Sequence, residues 1–145
     1  MKDQMTLRET TIFVLDKSQD EFKKLKEALK TTSDSFDAGK DTEGLNNIKS
    51  VVIPQISSFY EFCFTMINSF DDVMGPDITG RLKEKFENLD TLLKTLTNET
   101  ETGNFTEIGD LLRFDLTDLI NEFSVLFPEI SETFKTSTRE DLNNI

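Results

Sequence analysis

Residues 78–96 read ITGRLKEKFENLDTLLKTL, and this stretch decides the fold class. Its apolar residues recur at steps that are mostly of three or four: Ile78, Leu82, Phe86, Leu89, Leu92, Leu93 and Leu96. That spacing places one apolar stripe along an α-helix and leaves the opposite face charged. No part of the chain shows the sustained alternation that is typical of a β-strand. We therefore predict an all-α protein.

The same helical period continues on both sides of this stretch. Apolar stripes run through 7–36 and 45–70 before it, and through 108–127 after it. Gly39 and Gly103 each stand between two stripes, and glycine is the residue that most readily adopts the left-handed conformation at the end of a helix. Four helices joined in this way favour an antiparallel bundle built from two helical hairpins.

Two prolines fall inside the helical pattern. Because proline lacks an N–H group and its ring clashes with the preceding turn, Pro54 and Pro128 are predicted to kink or divide their helices. An irregular orthogonal array of helices is therefore the alternative fold. Within one domain, 1–145, we predict a first hairpin over 6–72, a second hairpin over 76–127 and an extra C-terminal helix over 129–145.

An offset of 64 residues aligns the two predicted hairpins. It places Ile48 on Leu112, Val52 on Leu116, Ile56 on Ile120 and Phe59 on Phe123. A duplicated hairpin explains this alignment, and so does the period that any two amphipathic helices share. We expect Phe59 and Phe123 to be buried, since each lies on the central stripe of its helix.

The composition disfavours several classes of function. The chain has 145 residues with no His and one Cys, so the commonest general base and the commonest metal ligands are missing. Its net charge of −12 disfavours binding to nucleic acid or to an anionic membrane. The sequence contains neither a complete calcium-binding loop nor a glycine-rich phosphate loop. We predict no enzyme activity, no metal site and no cofactor.

The stretch 50–70 is the least charged part of the chain, with Glu61 as its only charge. Polar residues and a proline are interspersed among its apolar residues: Pro54, Gln55, Asn68 and several serines. This composition favours a buried helix over a membrane span. Cys63 lies on the apolar stripe and is predicted to be a small buried hydrophobic residue, not a nucleophile. No signal-peptide pattern is present, so a cytoplasmic location is expected.

A second apolar row lies beside the stripe of this same stretch, formed by Ile53, Tyr60, Phe64 and Ile67. The row needs a cover. Neighbouring helices that cover it give a monomer, which we favour. If they do not, a homodimer through Tyr60 and Phe64 is the simplest solution, since one patch then covers itself.

Further candidate interaction residues lie off the apolar stripes. Phe13 and Phe114 fall outside the stripes of their helices. Residues 99–132 contain nine acidic residues and one base, and Asp115, Asp118 and Glu122 share one flank of a helix. This flank is either solvated or paired with lysines of the first helix, or it is a docking surface for a basic protein partner.

Residues 103–120 read GNFTEIGDLLRFDLTDLI and resemble a signature of uncharacterised helical-bundle domains of Gram-positive bacteria. The resemblance rests on Gly103, Phe105, Asp110, Leu111, Leu112, Phe114, Asp115 and Leu116. It implies a helical bundle in a bacterial protein, and it implies a shared structural or docking role for Phe114 and Asp115.

Together these features favour a non-enzymatic protein–protein interaction module. A small acidic chaperone or adaptor of the export or flagellar type is an alternative, based on fold class and charge. A metal-binding protein or enzyme that uses only carboxylates is the competing class.

Overall fold

The computed structural model describes residues 4–145, and within that range the chain forms four long helices and no β-strand. The α-helices are α1 (Leu7–Asp37), α2 (Asp41–Asn47), α3 (Ile53–Ser69), α4 (Asp71–Thr102), α5 (Phe105–Asp110) and α6 (Thr117–Thr136). Two π-helical turns, Ile48–Val52 and Leu111–Leu116, join α2 to α3 and α5 to α6, so that each pair is one continuous helix. A 3-10 helix, Glu140–Asn143, follows. The all-α prediction is confirmed.

The ends of the hairpin helices follow from local sequence. Thr6 and Glu9 form a capping box at the start of α1: the Glu9 amide donates to Thr6 Oγ1 at 3.1 Å, and the Thr6 amide donates to Glu9 Oε1 at 3.0 Å. Gly39 and Gly103 have φ angles of +76° and +72°, which a residue with a side chain rarely adopts. These two glycines therefore end α1 and α4 and start the turns into α2 and α5.

The offset of 64 residues relates whole elements and not only apolar positions. It places Gly39 on Gly103 and the π-helical turn 48–52 within the π-helical turn 111–116. The first turns differ, because the backbone of α4 is interrupted at Gly75, with φ at +83°, and α1 is unbroken at the equivalent Thr11. Burial agrees with the offset, because both residues are fully buried in each of two equivalent pairs, Val52 with Leu116 and Ile56 with Ile120. A shared helical period does not explain matching glycine turns and matching π-helical turns. The two halves thus share one helical-hairpin architecture, and we call this correspondence the repeat.

The packing of the four long helices follows this repeat with one exception. The helix α1 packs along α6, and α4 packs along α3, which is the equivalent contact in the repeat. The helix α4 also packs along α6, whereas α1 and α3, the equivalent pair, barely approach each other. One side of the bundle is therefore closed and the equivalent side is open.

Pro128 does not divide the last helix, which corrects the separate helix predicted for 129–145. Proline at position 128 leaves the carbonyl of Ser124 without its usual helical donor. The Nε2 of Gln19 on α1 donates to that carbonyl at 3.0 Å and satisfies it, and α6 continues to Thr136. Only the short 3-10 helix lies beyond it, and Leu142 in this tail is buried.

Pro54 also leaves its helix continuous, and it lies directly after the π-helical turn 48–52. The equivalent turn at 111–116 has Asp118 where the first has Pro54, so the proline is not the cause of the π-helical geometry.

Candidate functional site

The open side of the bundle forms a groove of about 270 Å³ between α1 and α3. Its residues are apolar along the floor and polar along the rim. On α1 they are Val14, Ser18, Glu21, Phe22 and Leu25, and on α3 they are Gln55, Ser58, Phe59 and Phe62. A concave apolar surface with a few polar groups is the usual form of a binding site.

The repeat explains why this groove is open. Ser18 on α1 is equivalent to Leu82 on α4, and Gln55 on α3 is equivalent to Leu119 on α6. Leu82 and Leu119 are 0% and 3% exposed and fill the closed side. The Ser18 hydroxyl instead donates to the carbonyl of Val14 at 2.7 Å, so this short side chain stays against its own helix. Two aliphatic side chains that close one half of the repeat are thus missing from the other.

The charged residues at the groove rim also differ between the two halves of the repeat. On the closed side Lys85 Nζ lies 3.5 Å from Glu122 Oε1 and links α4 to α6. The equivalent residues on the open side are Glu21 and Ser58. The Glu21 carboxylate contacts Lys24 of its own helix, at 3.7 Å, and both side chains are largely exposed. A carboxylate therefore stands on the rim with no cation opposite it on α3.

Aromatic rings form the floor of the groove. The ring centroids of Phe22 and Phe59 are 5.2 Å apart, those of Phe59 and Phe123 are 4.6 Å apart, and those of Phe62 and Phe127 are 5.9 Å apart. Such pairs stabilise a fixed arrangement beyond the area that they bury. The floor is therefore attached to the core of the bundle.

The two phenylalanines predicted to be buried differ because of this groove. Phe123 is 0% exposed, which confirms the prediction for that residue. Phe59, its equivalent, is only partly buried and lines the groove. The prediction for Phe59 was wrong because the central stripe of α3 extends beyond the cover that α1 provides.

The second apolar row on α3 is covered in part by α4. The ring of Tyr60 lies 4.5 Å from that of Phe86, and the Tyr60 hydroxyl donates to Asp90 Oδ1 at 3.4 Å. Phe64 lies 6.4 Å from Phe86 and is 56% exposed. Of the two predicted interaction residues on α3, Tyr60 is engaged within the bundle and Phe64 extends into solvent.

The continuous helix Asp41–Ser69 is, in the described part of the chain, the one helix long and apolar enough to cross a membrane by length and composition. Only 22% of its most apolar window is buried. Its outward positions are polar, with Ser57, Glu61 and Asn68 all exposed. The uncovered apolar area therefore lies on the two flanks of α3, in the groove and at Phe64.

Phe13 and Phe114 are each 55% exposed but do not belong to a common patch. Phe13 lies in the second turn of α1. Phe114 lies near the other end of α1, since its neighbour Arg113 binds Asp34 and Asp37 there. The structure brings neither phenylalanine to Phe64 or to the groove.

The acidic residues predicted on one flank do lie together. Asp115, Asp118 and Glu122 line a shallow surface between α6 and α4. Glu122 pairs with Lys85 of α4, and in residues 4–145 no ion pair includes Asp115 or Asp118. Over the same residues, no group of His, Cys, Asp and Glu side chains has an arrangement that could hold a metal ion.

Cys63 is fully buried in α3, and burial raises the pKa of its thiol far above the ordinary value. A thiol that stays protonated is a poor nucleophile. Cys63 contributes to the core as a small hydrophobic residue.

Sequence reasoning did not identify the groove residues Ser18, Glu21, Gln55 and Ser58. The signal was the same offset of 64 residues, applied to positions where the halves differ instead of where they agree. The second half has Leu82 where the first has Ser18, and Leu119 where the first has Gln55. These two differences in side-chain size reveal the missing volume.

The comparisons with known proteins give a family but no function. A family model described as Domain of unknown function (DUF8042) matches residues 14–126. The match covers most of the chain, and the protein belongs to this family. No curated protein and no solved structure matches the chain.

Proposed function

We propose that this member of the DUF8042 family is a non-enzymatic protein–protein interaction module that binds its partner in the groove between α1 and α3. The observation that carries this function is the difference between the two halves of the repeat. The same hairpin closes completely over Leu82 and Leu119 on one side, and it leaves an apolar groove open where Ser18 and Gln55 replace them.

The distribution of chemical groups supports binding over catalysis. The rim of the groove carries one carboxylate, Glu21, together with hydroxyl and amide groups. A nucleophile needs an adjacent base to be activated. The Ser18 hydroxyl donates to the Val14 carbonyl, and within residues 4–145 no hydrogen bond joins Ser18 or Ser58 to the Glu21 carboxylate. The thiol of Cys63 is buried in the core.

The outward face of α3 supports a protein partner over a membrane. Burial in lipid would remove water from the Glu61 carboxylate and the Asn68 amide, which is costly without hydrogen-bond partners. A protein that occupies the groove covers its aromatic floor and leaves this outward face in water. The shallow acidic surface at Asp115 and Asp118 is a second contact area for a partner that carries basic residues.

The proposal includes a monomeric protein in the cytoplasm of a bacterial cell. The fit of Tyr60 against Phe86 supports the monomer, since α4 covers most of the second apolar row. The resemblance of residues 103–120 to helical domains of Gram-positive bacteria supports the bacterial origin. The lone reduced thiol is consistent with the cytoplasm.

Photo-crosslinking in the producing cells tests the proposed function. A photo-reactive amino acid is placed at Ser58, on the rim of the groove, or at Thr95, which is exposed on α4 outside the groove. We expect one identified protein to cross-link from position 58 and not from position 95. Equal cross-linking from both positions, or none from position 58, would contradict an interaction surface at this groove.

A further inference from the structure

We infer, building on the proposed function, that the groove binds an amphipathic helix that presents two aliphatic side chains one helical turn apart, followed by a lysine or arginine. The closed half of the repeat shows what is missing. There Leu82 of α4 and Leu119 of α6 are buried and Lys85 pairs with Glu122. The open half has Ser18, Gln55, Glu21 and Ser58 at these positions. Two aliphatic side chains at positions i and i+4 share one face of a helix and can enter the groove together.

The floor of the groove favours aliphatic side chains. Phe22 and Phe59 are held edge to face, with ring centroids 5.2 Å apart, and Leu25 lies beside them. The residues that cover the equivalent floor in the closed half are leucines, Leu82 and Leu119. A volume of about 270 Å³ admits a few side chains of this size but not a whole helix. The partner helix therefore lies over the groove and inserts its aliphatic residues.

The rim of the groove favours a basic residue after the aliphatic pair. Glu21 stands where Lys85 stands in the closed half, and Ser58 stands where Glu122 stands. The open half thus keeps an acidic group at the rim and lacks the cation that pairs across the closed interface. The net charge of −12 attracts a basic partner and increases its association rate.

A second copy of this chain does not fit the groove. In residues 4–145 the exposed large hydrophobic residues are Met5, Phe13, Phe64, Phe114, Val125 and Ile145. No two of them lie one helical turn apart on one helix. A homodimer would also bring together two chains of charge −12. The occupant is therefore a different protein with a basic amphipathic helix.

A peptide titration of the intact protein tests this ligand class. The probe is a fluorescein-labelled, alanine-rich synthetic helix with two leucines four positions apart and a lysine three positions after the second. The matched peptide has alanine in place of both leucines and the same charge. We expect the leucine peptide to bind at least about tenfold more tightly, because each leucine buries apolar surface. Equal binding of the two peptides would overturn the inference.

Two variants locate the binding. The double variant Ser18→Leu, Gln55→Leu fills the groove with the residues of the closed half, and it should weaken binding at least about tenfold. Glu21→Lys leaves the floor intact, and it should weaken binding about two- to fivefold at low salt and less at high salt. Circular dichroism establishes that each variant is folded. Unchanged affinity in both variants would overturn the inference.

Two other results separate the inference from the proposed function. If Ser58 cross-links to a protein but the leucine peptide does not bind, the helix chemistry is wrong and the interaction module remains. Binding of the protein to vesicles of phosphatidylcholine and phosphatidylglycerol that is lost in the groove-filled variant would show a lipid occupant. That outcome would overturn both the helix and the protein partner.

Discussion

Gln19 of α1 and Ser124 of α6 exchange two hydrogen bonds across the interface between these two helices. The Nε2 of Gln19 donates to the Ser124 carbonyl at 3.0 Å, and the Ser124 hydroxyl donates to Gln19 Oε1 at 2.7 Å. The carbonyl is available because Pro128, four residues later, has no N–H group. One side-chain amide thus replaces a helical hydrogen bond and attaches α1 to α6.

A double-mutant cycle tests this exchange. Gln19→Ala should lower the free energy of unfolding by about 1–2 kcal/mol, because it leaves a partly buried carbonyl without a donor. In the Pro128→Ala background the restored amide of residue 128 can donate to the Ser124 carbonyl, so the same change should cost less. Urea denaturation of the four proteins measures the coupling. Additive effects of the two substitutions would contradict the role given to Gln19.

The groove-filled variant should be more stable than the parent. Replacing Ser18 and Gln55 by leucine adds apolar area over Phe22 and Phe59, as Leu82 and Leu119 do in the other half. We expect a gain of about 1–2 kcal/mol and a rise in Tm of roughly 3–8 °C.

Ser57→Leu is the matched control for this gain, because Ser57 is exposed on α3 outside the groove. That control should change the stability by less than about 0.5 kcal/mol. Thermal unfolding followed by circular dichroism compares the two proteins with the parent. A groove-filled variant that melts at or below the Tm of the control would show that the helices cannot close over the new leucines.

Two equivalent phenylalanines should respond differently to truncation. Phe123→Ala should cost about 3–5 kcal/mol, since its side chain is fully buried. Phe59→Ala should cost roughly 1–2 kcal/mol less, because the Phe59 ring borders the open groove and part of it is already in water. Chemical denaturation gives both values. Equal costs would mean that the groove does not expose Phe59 in solution.

The ion pair between Arg81 and Glu129 contributes to the stability of the fold in a pH-dependent way. The guanidinium of Arg81 donates to both Glu129 oxygens, at 3.0 and 2.8 Å, and these bonds lower the pKa of Glu129. A carboxyl group with a lowered folded-state pKa stabilises the fold above its unfolded-state pKa, about 4.3. That contribution is lost as the pH falls through the folded-state value.

The comparison of the parent with Glu129→Gln isolates this pair from the other carboxylates. The parent should have the higher Tm at pH 7, and the difference should diminish toward pH 3 as Glu129 becomes protonated. Differential scanning calorimetry at several pH values measures it. A difference in Tm that stays constant down to pH 3 would exclude an electrostatic origin.

The sequence predicts the helices well because their stripes follow from local spacing. The positions of α1, α3, α4 and α6 and the turn at Gly39 all follow from apolar period and glycine geometry. The continuity of α6 through Pro128 could not be predicted. The donor that satisfies the freed Ser124 carbonyl comes from Gln19, which is more than a hundred residues away along the chain.

The groove escaped sequence analysis for a related reason. A serine within an apolar stripe, such as Ser18, is compatible with a buried helix as long as a neighbouring residue fills the space. Whether a residue of α3 fills the space beside Ser18 depends on how closely α1 and α3 approach each other. The apolar period of each helix does not determine that distance. The helical period does place Asp115, Asp118 and Glu122 on one side of one helix, and they line one shallow surface. Its role as a docking surface stays a prediction.

Methyl NMR of the protein during titration with the leucine peptide tests the groove most directly, because the repeat supplies an internal control. Val14 and Leu25 line the groove, and their equivalents Ile78 and Leu89 lie on the closed half. If the groove binds the peptide, we expect saturable shifts of the Val14 and Leu25 methyl signals, while those of Ile78 and Leu89 stay unchanged. Shifts at all four residues, or at none, would contradict it.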